Sequence, residues 1–229
     1  MKPKILVGCP TSDYKSYCLN EYAQTVKSLT YDNYDILLVD NSKDENYFKR
    51  IKEEGLPVIK GKYFECARDR IVASRNMLRE VFLKKGYEYL LSLEQDVIPP
   101  KDIIERMLKD NKKYVSGVVF AVNFYKGKHQ LMPLLWENFD EKTKLMYYVS
   151  PDKVWGNKLI EVCASGLGCV LIHKDVLKKV KFRYEKEKEG FDDVFFGIDM
   201  IKNKIKMFAD TSIKCKHLIK NWSWENIKR

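Results

Sequence analysis

Tyr89-Leu90-Leu91-Ser92-Leu93-Glu94-Gln95-Asp96 is a short apolar run that stops abruptly at two carboxylates. It is bounded by Gly86 on one side and Pro99-Pro100 on the other, too brief for a buried helix and suited to a strand covered on both faces. Toward the N-terminus, residues 65–85 place Ile71, Leu78 and Phe82 on one helical face and end at Gly86, so a helix precedes the strand. Further back, residues 4–9 form an apolar strand ended by Pro10 and Thr11. Residues 17–29 repeat apolar positions at Leu19, Ala23, Val26 and Leu29, as one helical face does. A second strand, 34–39, is stopped by the turn-forming Asp40-Asn41-Ser42, and a polar helix at 45–54 leads to a short strand at 57–60. On the other side, Pro99-Pro100 opens a helix at 101–109, followed by a strand at 114–122 and a less regular, aromatic-rich stretch through Trp155. Strands alternating with helices predict an α/β fold with a mostly parallel central sheet flanked by helices, its ligand site beyond the carboxyl ends of the strands.

No Pro/Gly/Ser-rich linker divides the 229 residues, so one domain spanning 1–229 is expected. With 45% hydrophobic and 32% charged residues and no fixed-period repeat, neither disorder nor a solenoid is indicated. Met1-Lys2 leads into the brief run Ile5-Leu6-Val7, shorter than a signal peptide, and no apolar stretch approaches a membrane span, so a cytoplasmic, non-spanning chain is expected. The net charge of +10 favours anionic partners such as nucleotide phosphates, lipid headgroups or nucleic acid, although Lys84, Lys85, Lys112, Lys113, Lys178 and Lys179 read as solvated helix faces. Six cysteines without a C-x-x-C pair suit free thiols in a reducing compartment. Cys163, Cys169, Cys215 and His217 have zinc-ligand chemistry but lack the close spacings of zinc sites.

Polar residues gather where the strands end: Pro10-Thr11, Asp40-Asn41-Ser42 and Glu94-Gln95-Asp96. Glu94 and Asp96, two apart at a strand end, can hold a divalent cation. The plainer alternative is that Asp96 caps the helix near Pro99.

Taken in order, residues 4–11, Val39-Asp40-Asn41-Ser42, Arg75-Asn76, Glu94-Gln95-Asp96, the glycine-bearing 166–174, Asp192-Asp193 with Phe195-Phe196, and 207–217 resemble the glycosyltransferases of family 2, which have the GT-A fold. The resemblance covers nearly the whole chain, with departures: Glu94 replaces the usual first Asp, Asp192 the usual Glu, and Asn203 a helix-ending glycine. It implies a nucleotide-binding half (1–100) and an acceptor-binding half with the C-terminal tail (101–229). The activity implied is transfer of a sugar from a nucleoside-diphosphate donor to a carbohydrate, lipid-linked or protein hydroxyl. Mn2+ or Mg2+ would be held by Asp96 with Glu94 and His217. Pro10, Thr11, Asp40 and Asn41 would meet base and ribose; Arg75, Asn76 and Gln95 the donor; Gly166 and Gly168 the donor sugar or acceptor. Asp193, beside Asp192, would be the general base of an inverting reaction.

Each assignment has a structural alternative. Asp40 can serve as a turn former, Arg75 as a surface helix cation, Gly166 and Gly168 as positive-φ turns, Asp193 as a helix N-cap and His217 as a structural histidine. Trp222 and Trp224, in a tail with Lys216, Lys220, Lys228 and Arg229, suit a docked C-terminal helix, a lid or a peripheral membrane contact. Gly8-Cys9-Pro10-Thr11 lacks the glycine-rich loop of nucleotidyltransferases and the G-x-G-x-x-G of dinucleotide enzymes. A basic carbohydrate- or RNA-binding module remains the non-catalytic alternative, but the aromatics fall in core elements and no RNP-like strand is present, so no nucleic-acid partner is expected.

Overall fold

In the computed structural model, residues 2–125, 127–140, 142–143 and 145–220 are described. The tail residues Trp222, Trp224, Lys228 and Arg229 lie outside them. Strand β1 (Ile5–Thr11) runs through Pro10 and Thr11 instead of ending before them. Its pairing with β4 stops at Gly8, so Pro10 lies where its missing N–H is not needed on that side. A 3-10 turn (Asp13–Cys18) leads into α1 (Leu19–Lys27), so the helix expected from residue 17 begins later. There follow β2 (Tyr34–Asp40), α2 (Asn46–Glu53), β3 (Val58–Lys60), α3 (Ala67–Lys84), β4 (Tyr89–Leu93), β5 (Val97–Ile98), α4 (Ile103–Lys109) and β6 (Tyr114–Val118).

The single strand expected over 114–122 is two. The chain leaves the central sheet after β6, and β7 (Phe120–Tyr125) forms a hairpin with β8 (Lys128–Pro133). Then come β9 (Leu135–Phe139), β10 (Met146–Tyr148), β11 (Leu159–Val162), β12 (Ala164–Ser165), β13 (Cys169–His173), α5 (Lys174–Lys179), α6 (Asp192–Lys202), β14 (Met207–Lys214) and β15 (Lys216–His217).

The eight-stranded central sheet has the order β11-β14-β6-β13-β4-β1-β2-β3. Strands β3, β2, β1 and β4 are parallel neighbours, as are β6 and β14, whereas β13 runs antiparallel between β4 and β6. Side chains alternate across it. Ile5, Val7, Cys9, Leu91 and Leu93 pack with Leu19, Tyr22 and Val26 of α1 and Ile103 and Met107 of α4. Leu6, Leu90, Val170 and Ile172 pack on the other face with Phe82 of α3 and Phe196 and Met200 of α6. Gly8 permits the close approach of α3: a Cβ there would lie 2.9 Å from Cδ1 of Leu90 and 3.4 Å from Leu78.

Gly86 (φ 73°) closes α3 in the left-handed conformation. At the end of α6 that conformation falls to Lys204 (φ 54°), one residue beyond Asn203, which keeps φ −85°. Among the described residues no helix is long and apolar enough to cross a membrane.

Candidate active site

The ends of β1, β2 and β4 meet in register, Thr11 opposite Asp40 and Gly8 opposite Ser92, and beyond them opens a cleft of about 420 Å³. Pro10, Thr11, Asn41, Glu94 and Gln95 line it, joined by Lys15, Tyr14, Arg70 and Phe191. Its size is that of a small-ligand site. Gln95 is only 1% exposed and fastens the floor: its Oε1 accepts from the hydroxyls of Thr11 and, at 2.8 Å, Tyr47, and its Nε2 donates to the Lys15 carbonyl at 2.7 Å.

Beside this cleft is a corner built by β5 and β15. Their antiparallel pairing sets His217 opposite Val97, the residue after Asp96, and the Leu218 N–H donates to the Asp96 carbonyl at 2.7 Å. The Nδ1–H of His217 donates to the Phe120 carbonyl at 2.7 Å, which turns Nε2 toward Oδ2 of Asp96, 3.2 Å away. Lys15 Nζ forms an ion pair with the same oxygen. Asp96 is 3% exposed and its Oδ1 is buried without a hydrogen-bond partner.

These residues fit a divalent metal. A carboxylate and an imidazole converge, a backbone carbonyl orients the imidazole from behind, one carboxylate oxygen lacks a partner, and an ammonium already lies where positive charge is favoured. Burial works against the charged carboxylate, yet His217 and Lys15 outweigh it and hold Asp96 below its ordinary range. Burial opposes protonation of His217, and Asp96 prevails and holds it above its usual value. The helix-cap alternative for Asp96 is excluded, because α4 begins at Ile103 with Asp102 at its N-cap.

Glu94 does not join Asp96 and His217 in a metal-holding cluster. One of its oxygens pairs with Arg75, and among the described residues no cluster of three or more His, Cys, Asp or Glu side chains is arranged to hold a metal. The same observation removes the set of Cys163, Cys169, Cys215 and His217.

Arg75 is neither a surface cation nor a lining residue of the cleft. It projects from α3 under the sheet end, 3% exposed, where Nη1 donates to Ser92 Oγ at 2.7 Å, Nη2 pairs with Glu94, and Nε lies 2.7 Å from Oδ2 of Asp192. A buried guanidinium requires carboxylate partners, and this one takes two.

Asp192 and Asp193 open α6, with Phe191 at the N-cap, so Asp193 lies inside the first turn rather than capping it. Asp192 is buried, and that burial raises its carboxyl while Arg75 pulls in the opposite direction. Asp193 is partly buried, accepts from the Val194 N–H at 2.8 Å, and is pushed up to about 7, first by desolvation and then by the charge of Asp192. A carboxyl group with that value is suited to exchange protons near neutrality.

The remaining expected residues are placed as follows. Asp40 is fully buried and accepts from the N–H and hydroxyl of Ser42, at 3.0 and 2.5 Å, and from Lys60 Nζ at 2.7 Å, an arrangement that shapes the turn. Asn41 donates to Ser74 Oγ at 3.0 Å on the cleft wall. Asn76 lies away from the cleft lining: its Nδ2 donates to the Phe182 carbonyl at 2.8 Å and its Oδ1 accepts from the Phe182 N–H. Gly166 and Gly168 do not have the positive φ of a tight turn. They allow close approach instead, a Cβ at Gly168 falling 3.1 Å from Val97 and 3.5 Å from Oε2 of Glu94, and one at Gly166 falling 3.1 Å from Leu134.

No protein-family model matches the sequence, and no curated protein matches it. Solved structures do match. That of GalNAc-T7 with UDP, GalNAc and Mn2+ superposes with a TM-score of 0.68 at 13% identity, covering 96% of this chain and 45% of that one. The mannosyltransferase PcManGT from Pyrobaculum calidifontis, in complex with GDP-Man and Mn2+, gives 0.62 at 13% identity, covering 99% and 60%. A third, A197 from STIV, gives only 0.49, too low to argue from. This chain thus spans about half of the first two proteins. With its mostly parallel eight-stranded sheet between helices, the chain has the GT-A fold.

Proposed function

We propose that this protein is a metal-dependent glycosyltransferase that moves a sugar from a nucleoside-diphosphate donor to a hydroxyl acceptor with inversion. The observation that carries the reading is the convergence of Asp96 and His217 at the edge of a nucleotide-sized cleft, with a carboxyl group of pKa about 7 on the neighbouring helix. Two solved proteins with this fold were captured with UDP or GDP-Man and Mn2+, which supports the donor class.

Asp96 and His217 would hold the cation, and the imidazole in that set favours Mn2+ over Mg2+, which prefers oxygen alone. A bound divalent ion supplies positive charge against the growing charge on the leaving diphosphate. Pro10, Thr11 and Asn41 form the wall against which base and ribose lie, and the exposed rings of Tyr14 and Phe191 offer stacking surface at the rim. Asp193 takes the proton from the acceptor hydroxyl as its oxygen bonds to the anomeric carbon. The bond from that carbon to the diphosphate oxygen breaks on the opposite face, and its electron pair leaves with the diphosphate.

A hydrolysis and binding screen of UDP-, GDP- and dTDP-sugars with and without Mn2+, comparing the wild type with Asp96→Ala, tests the reading. Donor-selective, Mn2+-dependent turnover that disappears in Asp96→Ala is the expected result. Failure of every nucleotide sugar to bind would sink it and leave a non-catalytic binding module.

A further inference from the structure

Lys15 has no place in the roles above, yet its ammonium occupies the corner where the cation would be held. It stands on the 3-10 turn after β1, lines the cleft, and pairs with the Asp96 oxygen that His217 also faces. Its backbone is fixed: the Lys15 N–H donates to Ser12 O at 2.8 Å, and its carbonyl accepts from Gln95 at 2.7 Å and from Cys18 Sγ at 3.1 Å. The four-carbon stem is not fixed in this way and can swing between Asp96 and the cleft.

The charges make the two positions exclusive. Among the described residues Asp96 is the carboxylate in ion-pair contact with both Lys15 and His217, while Glu94, paired with Arg75, acts on them without such contact. A divalent ion added beside Lys15 would leave an excess of positive charge that Asp96 cannot balance and that Glu94, already paired with Arg75, meets only in part. A diphosphate in the adjoining cleft can balance it, and offers the ammonium new oxygen acceptors.

We propose that Lys15 couples metal binding to nucleotide binding: its ammonium occupies Asp96 in the free protein and transfers to the donor diphosphate when the nucleotide and the divalent ion enter together. The inference rests on the glycosyltransferase reading for the identity of the anion. It makes the free protein a poor metal binder and the nucleotide complex a good one, and by linkage the metal strengthens nucleotide binding by the same factor.

The test is Mn2+ binding to the full chain, read from the free-ion EPR signal, alone and with saturating UDP or GDP. The expected result is that Lys15→Met and Lys15→Gln both bind Mn2+ alone about tenfold or more tightly than the wild type, the size of a modest charge repulsion removed. Lys15→Arg, which keeps the charge, stays weak. In the neutral variants the diphosphate no longer tightens Mn2+ to the same degree. Binding of Mn2+ alone that is no tighter in either neutral variant overturns the proposal, as does Mn2+ binding that survives Asp96→Asn. If neither UDP nor GDP binds the wild type with Mn2+, the glycosyltransferase reading fails, while the effect of Lys15 on Mn2+ alone is still decided by the same titrations.

Discussion

Replacing Asp193 by Asn separates the energetic cost of this carboxylate from its use. Desolvation and the neighbouring Asp192 lift its carboxyl from 3.8 to about 7 in the folded chain. Between those two values the folded protein keeps a proton that the unfolded chain has released, so stability falls as pH rises through the window and levels off above it. At 1.36 kcal/mol for each tenfold change, the full penalty approaches about 4 kcal/mol at pH 8 and is under about 1 kcal/mol at pH 4. Asn has nearly the same shape, its oxygen can still accept the Val194 N–H, and it carries no charge. Urea unfolding of Asp193→Asn should therefore show a gain of about 2 to 4 kcal/mol at pH 8, shrinking to a few tenths near pH 4. In the same variant, sugar transfer should fall by about a hundredfold or more, the usual contribution of a general base, and the acidic limb of kcat/KM near pH 7 should disappear. A stability difference that stays constant from pH 4 to pH 8, or is absent at pH 8, would refute the account of the raised carboxyl. Full activity with an unchanged pH profile would refute the catalytic assignment.

Two further substitutions probe what holds the site. Arg75→Met leaves Glu94 and the buried Asp192 without their shared cation, and urea unfolding at pH 7 should show a loss of about 3–5 kcal/mol that lessens as pH falls and the carboxylates protonate. Gly197→Ala drives a methyl group to 2.6 Å from Cβ of Ala164 and 3.0 Å from the Cys163 carbonyl, so α6 must move away from β12. That should cost about 1–3 kcal/mol in thermal unfolding. Because the same helix carries Asp193, kcat should drop while donor KM stays near the wild-type value.

Most of the fold was legible from residue 4 to residue 118, because the longer strands there are continuous apolar runs and the longer helices repeat an apolar face every three or four residues, whereas the two-residue β5 has no such signal. It was less legible from 119 to 165. There the chain makes short antiparallel pairs, and nothing local marks the point at Val119 where β6 stops and the hairpin begins. The convergence of Asp96 and His217 joins residues 121 apart, which no local pattern can show; the resemblance of motif order supplied it. Lys15 and Gln95 were opaque for a different reason. A lysine on a polar turn reads as solvated, and a glutamine between two carboxylates reads as a ligand, until burial shows one to be an ion-pair partner and the other a fastening for Thr11, Tyr47 and the Lys15 carbonyl. For Arg75, expected at the donor with a surface helix cation as the alternative, charge predicts exposure on average, and only a packed helix on Gly8 and Ser92 shows where a guanidinium goes inside.

That buried guanidinium also bears on Asp193, whose carboxyl desolvation and the charge of Asp192 push up to about 7 while Arg75 pulls it down. Three carboxylates, those of Glu94, Asp192 and Asp193, bear on Arg75. Two of them pair with it directly, Glu94 through Nη2 and Asp192 through Nε, and the third has no ion-pair partner among the described residues. Ionising all three leaves the cluster with an excess of two negative charges in partly desolvated surroundings, and a proton on Asp193 removes one of them. Proton uptake from an acceptor hydroxyl is thus favoured at Asp193 by its desolvation and by the charge of the neighbouring Asp192. Removing Arg75 should therefore shift the pH dependence of transfer as well as stability, because a cation that lowers the Asp193 carboxyl is lost.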